Sequence, residues 1–595
     1  MRIKLSIALF FSISFLFAQN DLLWKGYFSY NEIVDVVNGE DKIYAATENC
    51  VIFKNLILGD VNQINSITGF KPESITTLYH STIYDKTLAG NTNGLLLIVN
   101  KNGSISQKVD IIEEVPVPPN KKRINHFYEH DGKIFIATNY GISVLDLQTS
   151  EFIVTYFIGP LGEEVEVLQT TVLNNEIYAV TRNNGIRKAS LSNPFLYDFN
   201  QWQTFDAGNW SAIVTFNNEL IVQDANTTLY RNNGTSFIPI LNTLQNALKL
   251  KTNNTQIILT TQNNVFVLDQ NYTVIAQITQ IPNFDVTFSA ATVINDNLYV
   301  GTTKNGLFSA TLSNLSVFEN ITPNGPEKNY IFRIKKAPNK LWAVYGRYTL
   351  PYEPIIQNDG ISSYQNDTGW KTIPYTSLLD AKCFTGIAIS PKNNNEVYFS
   401  SYNNGLLKLD SNGDFTLFDH TNTGNNGLEQ IPANPTTNIY NMPIRTNSPE
   451  FDKEGNLWLT SAWVTKGLKV LRANGQWQSY DFDGILEQAP VSRFAPIKID
   501  KNGTKWLPTR NDGVLAFNDK LNNKAIVIDN LSGLPSTIVQ CIEIDNRNQL
   551  WIGTAQGLRV LSSVDRFISE NELSTTSIII QEGDLAQELF FSRLL

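Results

Sequence analysis

Leu550-Trp551-Ile552-Gly553-Thr554-Ala555-Gln556-Gly557-Leu558 decides how this chain is read, because it is the clearest copy of a motif that recurs. Leu298-Tyr299-Val300-Gly301-Thr302-Thr303-Lys304-Asn305-Gly306-Leu307 and Ile134-Phe135-Ile136-Ala137-Thr138-Asn139-Tyr140-Gly141-Ile142 follow the same plan. Looser copies begin at Ile43, Leu88, Ile177, Leu220, Ile257, Leu341, Val397, Leu457 and Lys505. Twelve anchors between 43 and 550 are spaced about 46 residues apart on average, which suits a four-stranded propeller blade of roughly 40–50 residues.

Turns precede the anchors, as in Asp452-Lys453-Glu454-Gly455-Asn456, Asp500-Lys501-Asn502-Gly503 and Asn295-Asp296-Asn297, where Asn, Asp and Gly tolerate positive φ and reverse the chain. Leu457-Trp458-Leu459 and Ile43-Tyr44-Ala45 then alternate a large aromatic with smaller apolar groups, and a period of two means strand. The small Gly-Thr, Ala-Thr or Ser-Ser pair suits inner strands that crowd where blades converge. Gly405-Leu406-Leu407-Lys408-Leu409 reads as a middle strand, and Gln201-Trp202-Gln203-Thr204-Phe205 and Gln476-Trp477-Gln478-Ser479-Tyr480 as outermost strands. Helical periodicity is almost absent, so the fold class expected is all-β, with two tandem β-propellers.

The seven anchors from 43 to 298 follow Leu23-Trp24-Lys25-Gly26-Tyr27-Phe28, which reads as an orphan outer strand that closes a ring. The expectation is a closed seven-bladed propeller over residues 19–312. Ser316-Val317-Phe318-Glu319-Asn320-Ile321 reads as the outer strand opening a second propeller over 313–595, with five anchors and longer insertions. The chain stops at Glu588-Leu589-Phe590-Phe591-Ser592-Arg593-Leu594-Leu595, where a sixth blade is due, so the second ring reads as incomplete, with about five blades and truncated before closure.

The 595 residues are 42% apolar and only 17% charged, ample material for buried cores. Forty-six Lys and Arg against 56 Asp and Glu give a net charge of −10 with no basic patch, which argues against nucleic acid as a partner. Arg2 and Lys4 ahead of the apolar run Leu5 to Phe17 and Ala18 read as a signal peptide over residues 1–18. That run falls short of the ~20 apolar residues of a membrane span, and no later segment reaches that length. The chain therefore reads as exported, to the periplasm or outer-membrane cell surface, with no transmembrane span.

Sites of chemistry are sparse. Cys50, Cys383 and Cys541 lie far apart and read as small buried hydrophobes. His126 and His130 share a strand face but stand about 13 Å apart, too far to hold one zinc. No GxSxG elbow, Walker loop or HExxH occurs, so neither a cofactor, a metal nor an enzymatic activity is expected. The informative segments are insertions in the second propeller. Gly346-Arg347-Tyr348-Thr349-Leu350-Pro351-Tyr352 mixes a cation with aromatics, which suits sugar rings and their phosphates or carboxylates. A longer stretch ends at Arg445, Trp463 and Lys466 enlarge the next anchor, and Arg510 holds the equivalent turn one blade later. The candidate ligand-binding residues are thus Arg347, Tyr348, Tyr352, Arg445, Trp463, Lys466 and Arg510.

The Asp/Asn turn, Leu-Trp-Ile-Gly-Thr and Gly-Leu resemble the two-component-regulator propeller repeat of exported bacterial sensors, which names a fold and not an activity. Trp24-Lys25-Gly26-Tyr27-Phe28-Ser29-Tyr30-Asn31, followed by Lys42-Ile43-Tyr44-Ala45-Ala46-Thr47-Glu48-Asn49, resembles the opening of the PorZ family of type IX secretion system accessory proteins. That resemblance implies a non-enzymatic surface protein working with the sortase-like PorU and helping deliver an anionic lipopolysaccharide to which cargo is joined. It also implies a terminal β-sandwich, which nothing after Leu550 would form. Two other readings stand beside it: the extracellular ligand-sensing half of a two-component regulator, which calls for a following membrane span, and a lyase or glycosidase on a propeller scaffold, which calls for convergent acids or a His with perturbed pKa.

Overall fold

The computed structural model describes residues 25–349, 352–432, 442–487, 493–582 and 585–588. The expected signal peptide, Leu23 and Trp24 of the expected orphan strand, and Leu589 to Leu595 lie outside the described residues. The chain is all-β and divides into two compact units, the first ending at Asn324 and the second beginning at Gly325. Among the described residues are twelve four-stranded antiparallel sheets, and each of the twelve anchors lies on the second strand of one of them.

Short-range chemistry explains the motif. The anchor threonine donates its hydroxyl to the carbonyl of the glycine that follows: Thr138 to Gly141 at 3.0 Å, Thr181 to Gly185 at 2.8 Å, Thr302 to Gly306 at 2.9 Å and Thr554 to Gly557 at 2.8 Å. That bond closes the hairpin into the third strand. The small residue before the threonine, or before Asn91 in the second sheet, answers a longer-range demand. A Cβ at Gly90 would stand 2.5 Å from Ile124 Cγ2 on the following sheet, so only glycine fits where the two sheets press together.

In the first unit, seven sheets occupy 33–64, 75–108, 124–156, 167–206, 210–242, 249–278 and 288–320, each built from four consecutive strands. Apolar side chains of neighbouring sheets interlock, as where Phe135, Ile142 and Val144 meet Val167, Ile177 and Ala179. The seventh sheet meets the first as the second meets the third. A Cβ at Gly301 would stand 2.4 Å from Ile33 Cγ2, and Ala290, Tyr299 and Leu307 share a core with Val36, Ile43 and Cys50. Gly306 donates its amide to Asn31 O at 2.8 Å.

Two sequence expectations are corrected here. Lys25 to Phe28 forms no strand, and the outer strand of the first sheet is Val61–Ile64 from the sheet's own run of chain. Among the described residues each four-stranded sheet is built from its own run of chain. Ser316 to Ile321 does not open the second unit: strand Asn314–Asn320 pairs with Leu307–Thr311 and completes the seventh sheet, because a fourth strand follows directly on the third. The break between units accordingly falls at Asn324 and Gly325 and not at 312.

In the second unit, four-stranded sheets occupy 333–373, 384–418, 446–480, 498–528 and 539–577. The aspartate that starts the turn before an anchor organises it. Asp500 Oδ1 accepts the amides of Asn502 at 2.8 Å and Thr504 at 2.9 Å, while Oδ2 accepts the indole N–H of Trp506 at 3.0 Å. Asp452 with Trp458 and Asp545 with Trp551 repeat the arrangement at 2.8 and 3.0 Å. The carboxylate, buried at Asp452 and Asp500, thus holds turn and strand together and gives each indole its partner. The first sheet of this unit carries an insertion: between its second strand, Lys340–Val344, and third, Ile361–Gln365, the two-residue strands Arg347–Tyr348 and Pro354–Ile355 pair with one another.

Candidate functional site

The inserted hairpin leads to the middle of the second unit. Gly346 begins it, and a Cβ there would fall 2.2 Å from the amide nitrogen of Phe384, so the chain can leave the strand so close to its neighbour only as glycine. Tyr348 lies against Tyr352 and Tyr402, with ring centroids 4.9 and 5.2 Å apart. Tyr352 adopts φ 59°, the left-handed region that a bulky side chain avoids, and its hydroxyl donates to Val539 O at 3.3 Å. Buried around these rings are Cys383, whose thiol burial pushes up to about 11, Ala462 and Ala495.

Next in sequence, Glu353 is held by two arginines. Its Oε1 accepts from Arg493 Nη2 at 2.7 Å and its Oε2 from Arg445 Nη1 at 3.1 Å. The side chain of Arg445 is only 7% exposed, with its guanidinium 5.8 Å from the Tyr402 ring and 5.7 Å from Trp463, while Arg493 lies 4.5 Å over Trp463. Burial draws Arg493 below the usual guanidinium range, Glu353 opposes that, and Arg445 and Arg510 add to it. Burial pushes the Tyr402 phenol far above its ordinary range.

Of the residues singled out from the sequence, Tyr348, Tyr352, Arg445 and Trp463 come together here. Arg510 joins them by its backbone, donating its amide to Arg493 O at 3.0 Å, and its charge reaches Tyr352. Arg347 is half-buried and stacks its guanidinium 4.7 Å over Tyr330. Lys466 is half-buried beside Lys469, outside this group. Sequence reasoning missed Glu353, Tyr402 and Arg493. A signal for Arg493 existed in the repeat: the amide of Ala462 donates to Arg445 O at 3.0 Å as that of Arg510 does to Arg493 O, so the two arginines hold one repeat position on successive sheets.

The first unit has a polar centre of its own. A cavity of about 690 Å³ is lined by residues of the first strands of all seven sheets. A bulge between Ile33 and Asp35 marks the strand that carries Asp35, whose side chain is 2% exposed. Lys249 and Lys251 bond it at 3.0 and 2.5 Å, with Thr77 Oγ1 and the Leu78 amide at 3.2 and 3.1 Å. Burial alone would raise the Asp35 carboxyl, but the two lysines and these donors hold it below the usual carboxylate range. His126 faces the same cavity, 3.4 Å from Gln169 Nε2, and burial with the lysine charges lowers it to about 3. Among the described residues no group of three or more His, Cys, Asp or Glu is arranged to hold a metal ion.

Residues 43–203 match the model of the type IX secretion system PorZ N-terminal β-propeller domain. That stretch is PorZ-like. Residues 533–556 match the two-component-regulator propeller, so both matching models describe propeller modules. The fold is also that of PorZ from Porphyromonas gingivalis, described as an essential bacterial surface component of the type IX secretion system: TM-score 0.81 at 16% identity, over 95% of this chain and 76% of that one. The extracellular domain of a hybrid two-component system from B. thetaiotaomicron overlaps 90% of this chain and 75% of its own length at 15% identity and TM-score 0.38. No curated protein matches. Among the described residues no helix is long and apolar enough to cross a membrane.

Proposed function

We propose that this chain is an exported, non-enzymatic accessory protein of a type IX secretion system. In this reading residues 1–18 direct export, the first unit is a closed seven-bladed propeller running to about residue 324, and the second unit presents the recognition site. The partner is a sortase-like PorU protein, and an anionic lipopolysaccharide used for cargo attachment is the candidate glycolipid. The observation that carries the reading is the PorZ N-terminal domain match over residues 43–203. The likeness of fold to PorZ over 95% of the chain supports it. So does the contact of seventh sheet with first, which has the form of an ordinary neighbour contact.

Affinity capture tests this. The tagged chain, expressed in its native host and cross-linked before lysis, is expected to retain the sortase of the secretion system. Retention of an inner-membrane histidine kinase in its place would favour the sensor reading.

A further inference from the structure

A chain with a net charge of −10 brings Arg445 and Arg493 together on one carboxylate, that of Glu353, and sets the charge of Arg510 close enough to act on Arg493. The grip is two-sided, one oxygen to each of two guanidiniums, so both oxygens of a carboxylate are engaged by charge-assisted hydrogen bonds. It is also incomplete. Arg445 Nε, Trp463 Nε1 and the hydroxyl of the fully buried Tyr402 have no hydrogen-bond partner among the described residues, and buried donors seldom go unmatched.

The two sides of the contact differ in how firmly they are held. Arg445 is 7% exposed and lies between aromatic rings, whereas Glu353 is 42% exposed and sits on a hairpin of two-residue strands, directly after the left-handed Tyr352. The cations are fixed, and the carboxylate is the part that can leave.

We propose that Arg445 and Arg493 form a carboxylate-recognition site, and that Glu353 is its built-in occupant, displaced when the carboxylate of an external ligand binds. Glu353 then sets a threshold, since a ligand must outcompete a group tethered beside the site. The inference rests on reading the centre of the second unit as ligand-facing. Its test needs no secretion machinery, so its failure leaves the capture experiment to judge the export reading separately.

The test is calorimetric titration of the purified chain at low salt with galacturonate and with N-acetylglycine, one a sugar acid and one a peptide-like terminus, and with galactose and inorganic phosphate for comparison. Glu353→Ala is expected to bind at least one of the two carboxylates saturably and at least ten-fold more tightly than the unaltered chain; which one binds identifies the source. Adding Arg445→Gln to that variant is expected to abolish binding, and galactose is expected not to bind. Should Glu353→Ala melt too low to titrate, Glu353→Gln keeps the shape without the charge and carries the same expectation. Carboxylate affinity no higher than in the unaltered chain, affinity that survives Arg445→Gln, or phosphate bound as tightly as carboxylate would each overturn the proposal.

Discussion

Asp35 on the first sheet bonds Lys249 on the sixth at 3.0 Å across 214 residues of chain. With Lys251 at 2.5 Å on its other oxygen, this carboxylate ties non-adjacent sheets of the first unit together through the central cavity. Its geometry and burial make it the electrostatic keystone of that unit.

Asp35→Ala leaves two inward lysines without their counter-charge and is expected to cost about 3 kcal/mol, the lower end for a broken buried pair because the lysines retain some solvent contact. Urea unfolding measures it, and a loss below about 1 kcal/mol would contradict the role. The pH dependence has a definite sign: since the folded carboxyl titrates below its ordinary range, its contribution is complete above that range and is lost as pH falls beneath it. Asp35→Asn should remove that part of the acid sensitivity.

His126 supplies a second, separable pH effect. Its folded pKa of about 3 lies below the ordinary 6.5, so protonation favours the unfolded chain and stability is lost as pH falls from 6.5 toward 3. His126→Gln should flatten the stability-against-pH curve over that interval by up to one proton. His80, lowered by burial to about 4, contributes in the same direction, so the difference between variant and parent isolates His126. Identical slopes would contradict the assignment.

Trp506→Phe removes the indole donor from Asp500 while the Asn502 and Thr504 amides stay bonded. A lost charge-assisted bond together with a small void predicts destabilisation of about 2–3 kcal/mol, read by chemical denaturation. Parent-like stability would show that the turn, not the indole bond, carries the motif.

These elements differ in how far they could be read from sequence. The second strands were legible because their signals are local: the Thr138 and Thr302 hydroxyls reach glycines three and four residues on, and Asp500 commands the six residues after it. Where the first unit ends was not, because Ser316 to Ile321 has the composition of any outer strand and only its pairing with Leu307–Thr311 assigns it. The site was half legible. Tyr348, Tyr352, Arg445 and Trp463 stood out as unusual residues in insertions, but Glu353 looks like one surface acid among many until its two arginines, 92 and 140 residues away, are brought to it. The Asp35 cluster was illegible, since nothing local reveals that first strands so distant in sequence share a cavity.

Tyr402→Phe offers a test of the opposite sign. The hydroxyl is buried without a partner among the described residues, so its removal should leave stability unchanged or raise it by up to about 1 kcal/mol, as thermal melting would show. A loss of more than about 1 kcal/mol would mean that the hydroxyl is satisfied after all.

The export role itself is tested most directly by deleting the gene in its native host and following a type IX cargo protein through cell fractionation, with the chain restored from a plasmid as the control. The account predicts that cargo still crosses the inner membrane but is no longer joined to the cell surface, and that restoration returns it there. Cargo reaching and staying on the surface of the deletion strain as in the parent would contradict it.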